Sequence, residues 1–227
     1  MTIADRWRAV RTAVDAACVA AGRDPASVTI VAVSKLHPAS AVDQAAAAGV
    51  TDAGESYAQE LVAKQLEVRA AVRWHFIGRL QRNKARLVAG KVALVHAVDS
   101  LELAVELGKR GLAAGTAQSI LAAVNVGGET QKTGVEPAAA PAFIAALRAV
   151  VGVRLDGLMT MPPPVDDPEL ARPAFRALRL LRDQLATPAS PLPHLSMGMS
   201  DDFAVAIAEG ATLVRIGTAI FGPRPAD

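Results

Sequence analysis

Short apolar runs and amphipathic stretches alternate along almost the whole chain. The apolar runs predict strands over 28–34, 51–54, 74–77, 94–98, 120–126, 155–159, 194–196 and 213–216. Stretches with helical periodicity follow them, over 39–48, 57–70, 80–89, 100–113, 138–150, 168–186 and 201–209, with a short closing turn after the last strand. An amphipathic helix over 3–21 precedes the first strand. This succession predicts an α/β fold, a single (β/α)₈ TIM barrel with an extra N-terminal helix.

An open doubly wound sheet is the alternative to a barrel. No Gly-x-Gly-x-x-Gly sequence follows the first strand, so the usual dinucleotide-binding fingerprint of that fold is missing. The proline-rich pieces 161–164 and 188–193 bracket the sixth predicted helix and fit loops better than a domain boundary. We therefore expect one domain over 1–227.

Composition narrows the class of protein. The net charge of +2 gives no electrostatic footprint for nucleic acid or an anionic membrane. Cys18 is the only cysteine, so an internal disulfide is excluded, which fits a reducing compartment. We expect Cys18 to be a packing residue. The sequence has no signal-peptide pattern and no run of about 18 apolar residues, so we expect a cytoplasmic protein that contacts no membrane. A short single-domain barrel also leads us to expect a monomer.

Lys35 ends the first predicted strand, which is rich in β-branched residues. In a TIM barrel, chemistry gathers at this end of the strands. An amine held there is a candidate for a Schiff base with an aldehyde or ketone, because desolvation lowers its pKa. Taken alone, a lysine reaching from the strand end to solvent is the commoner explanation.

The loops after the seventh and eighth strands favour phosphate binding. Ser196–Asp202 leads into a helix for which Ser200 is the predicted N-cap and Gly210 the C-terminal stop. Arg215–Gly222 leads from the last strand into a short helix. Glycine and small hydroxyl residues after these two strands form the usual phosphate site of such barrels, although ordinary turns contain them too.

A phosphate site across the barrel mouth from a strand-end lysine suggests a phosphorylated aldehyde. Pyridoxal 5′-phosphate (PLP) meets both demands, since its aldehyde condenses with an amine and its phosphate anchors the other end. Arg215 would then lie near the pyridine ring, where its charge disfavours protonation of the ring nitrogen. The alternative role for Arg215 is a strand-end ion pair with Glu55 or Asp99.

The chain resembles the PLP homeostasis proteins, the YggS/PROSC family of PLP-binding proteins, over nearly its whole length. The resemblance rests on seven segments in order: Val31–Lys35, Gly54–Glu60, Trp74–Lys84, Val124–Glu129, Gly157–Thr160, Leu195–Asp201 and Val214–Gly222. It implies a barrel like the N-terminal domain of alanine racemase, the fold of type III PLP enzymes. It also implies a role in handling PLP without robust turnover, with PLP-dependent apoenzymes as candidate recipients.

The resemblance also implies roles for individual residues. Lys35 would carry PLP as a Schiff base, Ser196 and Gly217-Thr218 would hold the phosphate, and Arg215 would face the pyridine nitrogen. The expected cofactor-binding set is completed by Met197, Asn125 and Ser56. No spacing of Cys, His or carboxylates suggests a metal site.

Several positions leave questions for the structure. Ser56 stands where the family usually has asparagine, and Arg79 where it has histidine or proline. The basic stretch 79–86 is a solvated helix face or, second, a positive rim that attracts anions. His75 and His96 are expected to be hydrogen-bonded barrel residues rather than bases. Lys132 is an exposed amine that could take a second PLP.

Three functions compete on the sequence: a PLP carrier, a small PLP enzyme such as an amino-acid racemase, and a phosphosugar aldolase using Lys35. Racemases of the related fold carry a second domain that supplies a tyrosine base and closes the site. The sequence stops just after the eighth strand–helix unit, so we expect no such domain. An open site excludes water poorly, which favours carriage over catalysis.

Overall fold

The structure is a computed structural model that describes residues 1–127 and 134–223. Within these ranges the strands are parallel and pair in chain order, and pairing of the last strand with the first closes the barrel. The strands are β1 (Thr29–Val33), β2 (Asp52–Glu55), β3 (Arg73–Phe76), β4 (Leu94–Val98), β5 (Gln118–Ala123), β6 (Val153–Met159), β7 (His194–Ser196) and β8 (Leu213–Ile216). The predicted TIM barrel is confirmed.

The helices cover the outside of the barrel. They are α1 (Ile3–Ala20), α2 (Ala39–Ala47), α3 (Ala58–Glu67), α4 (Ala85–Val88), α5 (Leu101–Ala113), α6 (Ala140–Arg148), α7 (Arg172–Leu185), α8 (Phe203–Ala208) and α9 (Thr218–Phe221). The extra N-terminal helix is confirmed: α1 starts with a capping box between Thr2 and Asp5 and packs against α2, α8 and α9. The helix predicted near 80–89 is shorter in the structure and consists of a 3₁₀ turn over Arg82–Lys84 followed by the one-turn α4.

Alternation along the strands creates two apolar regions. Outward-facing residues such as Ala32, Phe76 and Val214 join the helices in the larger core, where Cys18 is also buried as expected. Inward-facing residues fill the barrel with a smaller cluster: Val31, Leu94, Ala97, Leu121, Ala123, Met159 and Leu213. Branched apolar side chains usually fill such barrels completely. Here a series of polar residues takes part of the interior.

An irregularity in β4 contributes one of these polar residues. The register between β4 and β5 shifts between Val95 and Val98, which is the signature of a bulge. The fully buried His96 and its neighbour Ala97 both contact interior residues, although strict alternation would place them on opposite faces.

The predicted start of α8 is wrong. Asp202, not Ser200, precedes its first residue, Phe203. The Asp202 carboxylate accepts a hydrogen bond from the Met199 N–H at 2.6 Å, so the segment before α8 folds as a separate turn. The predicted stop is confirmed, because Gly210 follows the helix with φ of +95°, a conformation that favours glycine.

The residues that the structure describes, 1–127 and 134–223, carry two further structural facts. None of the helices within them combines the length and the apolar character needed to cross a membrane. The same residues contain no group of three or more His, Cys, Asp or Glu arranged to hold a metal ion.

Candidate functional site

Closure of the barrel places Lys35 beside the loop after β8. Ala32 of β1 pairs with Ile216 of β8, so the segments that follow these residues leave the barrel next to each other. Gly217 lies so close to β1 that an added Cβ would stand 3.2 Å from the Val33 carbonyl oxygen. The expectation that the loop lies across the mouth from Lys35 is therefore wrong, because β8 is the direct neighbour of β1.

The three residues at this junction differ in exposure. Lys35 and Gly217 are half-buried, whereas Thr218 is exposed. Val31 of β1 faces the barrel interior, and Lys35 lies in the turn two residues after Val33, where β1 ends at the barrel mouth. An amine and a glycine–hydroxyl turn are thus side by side and reachable from solvent.

Arg215 lies beneath this junction and is 5% exposed. Its guanidinium donates to the Ser196 hydroxyl at 2.6 Å and to the Thr160 carbonyl oxygen at 3.0 Å. Burial lowers its pKa to about 10, partly offset by Asp202, so it remains a cation at neutral pH. The alternative ion pairs with Glu55 or Asp99 are not its contacts: Glu55 binds Lys64, and Asp99 lies 3.8 Å from Arg79.

Ser196 is fully buried, and its hydroxyl lies between Arg215 and His96. The phosphate contact that the family resemblance implies would require these groups to rearrange, or the phosphate to reach below the mouth. That contact stays a prediction, while the hydroxyl has a clear present role as the partner of Arg215.

A cluster of four residues fastens the backbone around Lys35 from outside the barrel; we call Ser34, Glu55, Glu60 and Lys64 the outer ion cluster. The Lys64 ammonium of α3 donates to the Ser34 carbonyl oxygen at 2.6 Å, to Glu55 at 2.5 Å and to Glu60 at 2.8 Å. The Ser34 hydroxyl also donates to Glu55 at 2.6 Å. The peptide group on the N-terminal side of Lys35 is therefore held by a buried cation.

The peptide group on the other side is held by the same helix. Glu60 accepts a hydrogen bond from the Leu36 N–H at 2.6 Å. Leu36 has φ of +64°, a left-handed conformation that costs a non-glycine residue energy. Because α3 binds the residues immediately before and after Lys35, it fixes the turn from which the lysine projects.

Glu55 is the least satisfied member of the cluster. It is fully buried, and its Oε2 atom has no hydrogen-bond partner among the described residues. Burial raises the pKa of Glu55, although Lys64 and Ser34 both donate to its other oxygen and oppose the rise. The carboxylate thus depends on Lys64 for its charge compensation.

A second polar system runs through the barrel; we call Asp52, His75, His96, Ser196 and Arg215 the interior line. Asp52 contacts His75 Nε2 at 2.9 Å, His75 Nδ1 contacts His96 Nε2 at 2.9 Å, and His96 Nδ1 contacts the Ser196 hydroxyl at 2.8 Å. The expectation that both histidines are hydrogen-bonded barrel residues is confirmed.

The remaining predicted residues lie around this centre. Met197 is fully buried in the larger core, which favours a packing role, and Asn125 is nearly buried after β5. Ser56 is half-buried and lines a cavity of about 610 Å³ that lies beside the loops after β2, β3 and β4. A direct cofactor contact by any of the three stays a prediction. Lys132 lies outside the described residues.

The basic stretch forms one wall of that cavity. Arg79, Arg82 and Lys84 line it, and Arg79 and Arg82 are exposed. Arg79 also lies 3.8 Å from Asp99 across the cavity edge. This placement fits the solvated face that the sequence favours, and it leaves the rim as the second possibility.

The outer ion cluster was missed on the sequence, although one signal was available. Lys64 lies three residues after the fully buried Leu61 and six after the buried Ala58, on the apolar face of α3. A lysine on such a face needs a buried partner. No local pattern identifies that partner, because Glu55 comes from a strand and Ser34 from a different unit.

Comparison with known proteins places the chain in a family. The family model for the alanine racemase N-terminal domain matches residues 9–225. A pyridoxal phosphate homeostasis protein of Pseudomonas aeruginosa is 45% identical over 98% of this chain and 96% of its own length. One from Aquifex aeolicus is 42% identical over 99% of both chains.

A solved structure agrees with these relatives. PipY of Synechococcus elongatus, with PLP bound, is 35% identical and covers 97% of this chain and 100% of its own, with a TM-score of 0.84. The resemblance that the sequence motifs indicated is therefore confirmed at the level of the whole chain. The chain belongs to the alanine racemase N-terminal domain family and, within it, to the pyridoxal phosphate homeostasis proteins.

Proposed function

We propose that this protein binds PLP as a Schiff base on Lys35 and carries or buffers it in intracellular PLP homeostasis, without robust turnover. The observation that carries the proposal is the junction of β1 and β8, where Lys35 stands beside Gly217 and above the buried cation Arg215. The names of the relatives and the PLP in the PipY structure support it.

The residues present fit this cofactor. PLP supplies an aldehyde that joins an amine reversibly. Lys35 offers the amine at the mouth, and the Gly217-Thr218 turn offers backbone N–H groups and a hydroxyl to the phosphate. Arg215 offers a guanidinium whose position is fixed by its contacts with Ser196 and Thr160.

The same geometry favours retention over catalysis. Arg215 would face the pyridine nitrogen, as the family resemblance implies, and its charge would then oppose protonation of that nitrogen and weaken the ring as an electron sink. Lys35 is only half-buried and Thr218 is exposed, so the site does not exclude water as a PLP enzyme must. Transfer to PLP-dependent apoenzymes, a cytoplasmic location and a monomeric state belong to this proposal as predictions.

The first test is the absorbance spectrum of the protein after incubation with PLP. We expect a band at roughly 420 nm that disappears in Lys35→Ala and persists in Lys91→Ala, whose lysine is exposed in the turn before β4. A band that survives in Lys35→Ala would overturn the assignment of the tether. A protein that never acquires the band would favour the aldolase alternative.

The second test separates carriage from catalysis. The PLP-loaded protein is incubated with L- and D-alanine and L- and D-serine, and the enantiomers are quantified by chiral chromatography. We expect no steady turnover. Racemisation at a rate typical of enzymes, about 1–10³ per second, would establish the racemase alternative.

A further inference from the structure

The interior line connects the two ends of the barrel. Its upper end, Arg215, lies beneath the proposed PLP site. Its lower end, Asp52, lines a small cavity of about 200 Å³ at the opposite mouth of the barrel, together with His75. Other charged or titratable residues line the same cavity: Arg73, Arg154, Asp156 and His194.

The donors and acceptors along the interior line follow from the groups at its two ends, Asp52 and Arg215. Asp52 also accepts hydrogen bonds from Arg73 at 2.8 Å and from Thr51 at 2.6 Å. Burial by itself raises the pKa of Asp52, but the hydrogen bonds from His75, Arg73 and Thr51 outweigh burial and lower the pKa to about 2. It is therefore a carboxylate at neutral pH and accepts from His75 Nε2. Arg215 can only donate, so the Ser196 oxygen accepts from it.

The middle of the line then has one fully satisfied arrangement. His75 Nδ1 accepts from His96 Nε2–H, and His96 Nδ1 accepts the proton of the Ser196 hydroxyl. Burial holds the pKa of His96 well below its ordinary value, which agrees with a neutral ring. If His75 carried a second proton, His96 Nδ1 would donate to Ser196, and the Ser196 proton would lose its acceptor.

We propose that Asp52, His75, His96 and Ser196 are positioning residues that hold Arg215 for PLP and supply it with Asp52 as a remote counter-charge. Every donor in the line points the same way, from Arg215 to Asp52, and each bond polarises the next. Neither ring needs a charge. This inference rests on the proposed function only where it concerns PLP; the order of the protons belongs to the protein alone.

The first arm of the test needs no PLP. The chain has four histidines, so a ¹⁵N-histidine NMR spectrum is assignable with single His→Gln variants. At pH 7 we expect His75 and His96 to be neutral, each with its proton on Nε2. A proton on Nδ1 of either ring, or a doubly protonated ring, would overturn the proposal.

Asp52→Asn tests propagation along the line. We expect the ¹⁵N shifts of His96 to change, although His96 does not contact residue 52. Asp156→Asn is the matched control, because Asp156 lines the same cavity but pairs with Arg154 at 2.8 Å; it should leave His96 unchanged. An unchanged His96 in Asp52→Asn overturns the coupling. His75→Gln, whose amide keeps the contact with Asp52 and loses that with His96, serves if Asp52→Asn fails to fold.

The second arm uses the PLP-loaded protein. We expect Asp52→Asn and His75→Gln to release PLP about two- to tenfold faster than wild type, with a shifted pH midpoint of the absorbance band, while Asp156→Asn matches wild type. Unchanged release and midpoint would overturn the positioning role even if the NMR shifts move. A wild-type protein that binds no PLP would refute the proposed function instead, and the first arm would still decide the proton order.

Discussion

The outer ion cluster and the interior line bury charge in opposite ways. In the outer ion cluster, Lys64 and Glu55 touch directly, with 2.5 Å between ammonium and carboxylate. In the interior line, Arg215 and Asp52 are separated by two imidazoles and a hydroxyl. One system lies between the barrel and α3, and the other lies inside the barrel.

The difference corresponds to what each system holds. The outer ion cluster binds backbone groups, the Ser34 carbonyl and the Leu36 N–H, and so fixes the turn that carries Lys35. The interior line binds a side chain, because Ser196 accepts from the Arg215 guanidinium. A direct ion pair suits the first task, because the backbone needs a strong local anchor. A relay of neutral groups suits the second, because the carboxylate that compensates Arg215 then lies at the far end of the line and does not occupy the guanidinium directly.

The largest effect should come from removing the cation of the outer ion cluster. Lys64→Met leaves Glu55 buried without its charge partner and frees the Ser34 carbonyl, while Glu60 still accepts from the Leu36 N–H. Breaking a buried pair in this way costs about 3–5 kcal/mol of unfolding free energy. Urea unfolding followed by circular dichroism measures it, and Lys91→Met, at an exposed site, should stay within about 0.5 kcal/mol of wild type.

The double variant Glu55→Leu/Lys64→Met sharpens this result. Replacing a buried pair by apolar residues of similar size is often neutral, so the double variant should be more stable than Lys64→Met alone. If it is less stable, the cluster stabilises the fold through its hydrogen bonds to the backbone rather than through the pair. In either case we expect slower capture of PLP, because Ser34 loses its anchor.

The lower end of the interior line should give the next effect, and it should depend on pH. The pKa of Asp52 is lowered from 3.8 to about 2 in the folded protein. The stabilisation is therefore present above pH 4 and is lost as the pH falls from about 4 to 2. It amounts to about 2 kcal/mol. Asp52→Asn should remove it, so the unfolding free energies of variant and wild type should converge toward pH 2.

A constant difference between the two proteins from pH 7 to pH 2 would contradict this account. It would mean that Asp52 acts through packing alone. Asp156→Asn again serves as the control, since its carboxylate is at the same mouth but outside the interior line.

The two systems also show which features could be predicted from the sequence and which could not. Alternating apolar and amphipathic stretches were sufficient for the barrel, because each strand–helix unit is local. Lys35 and Arg215 were identified because a charge at the end of an apolar strand is conspicuous. The loop after β8 was placed wrongly, across the mouth from Lys35 instead of beside it, because the closure of β8 on β1 is a property of the whole barrel.

The connections within each system could not be predicted for the same reason. His75 and His96 come from different strands, and the β4 bulge that accompanies the placement of His96 inside has no sequence signature. Ser196 is a residue type that often binds phosphate, yet its place in β7 directs its hydroxyl into the barrel, where it accepts from Arg215. The position of Lys64 on an apolar helix face was a usable signal, but Glu55 and Ser34 lie outside α3 and no helical spacing connects them to it.

The smallest effect concerns the strain that the outer ion cluster holds. Leu36 has φ of +64° and is 48% exposed, so its side chain gains little from burial while its backbone is unfavourable. Asparagine tolerates this conformation, and Leu36→Asn should stabilise the protein by about 0.5–1 kcal/mol in thermal unfolding. The N–H bond to Glu60 remains, so PLP capture should not change. Leu192 has φ of +47° but is fully buried, so Leu192→Asn should destabilise instead. Destabilisation by Leu36→Asn would show that the Leu36 side chain contributes more than its backbone strain costs.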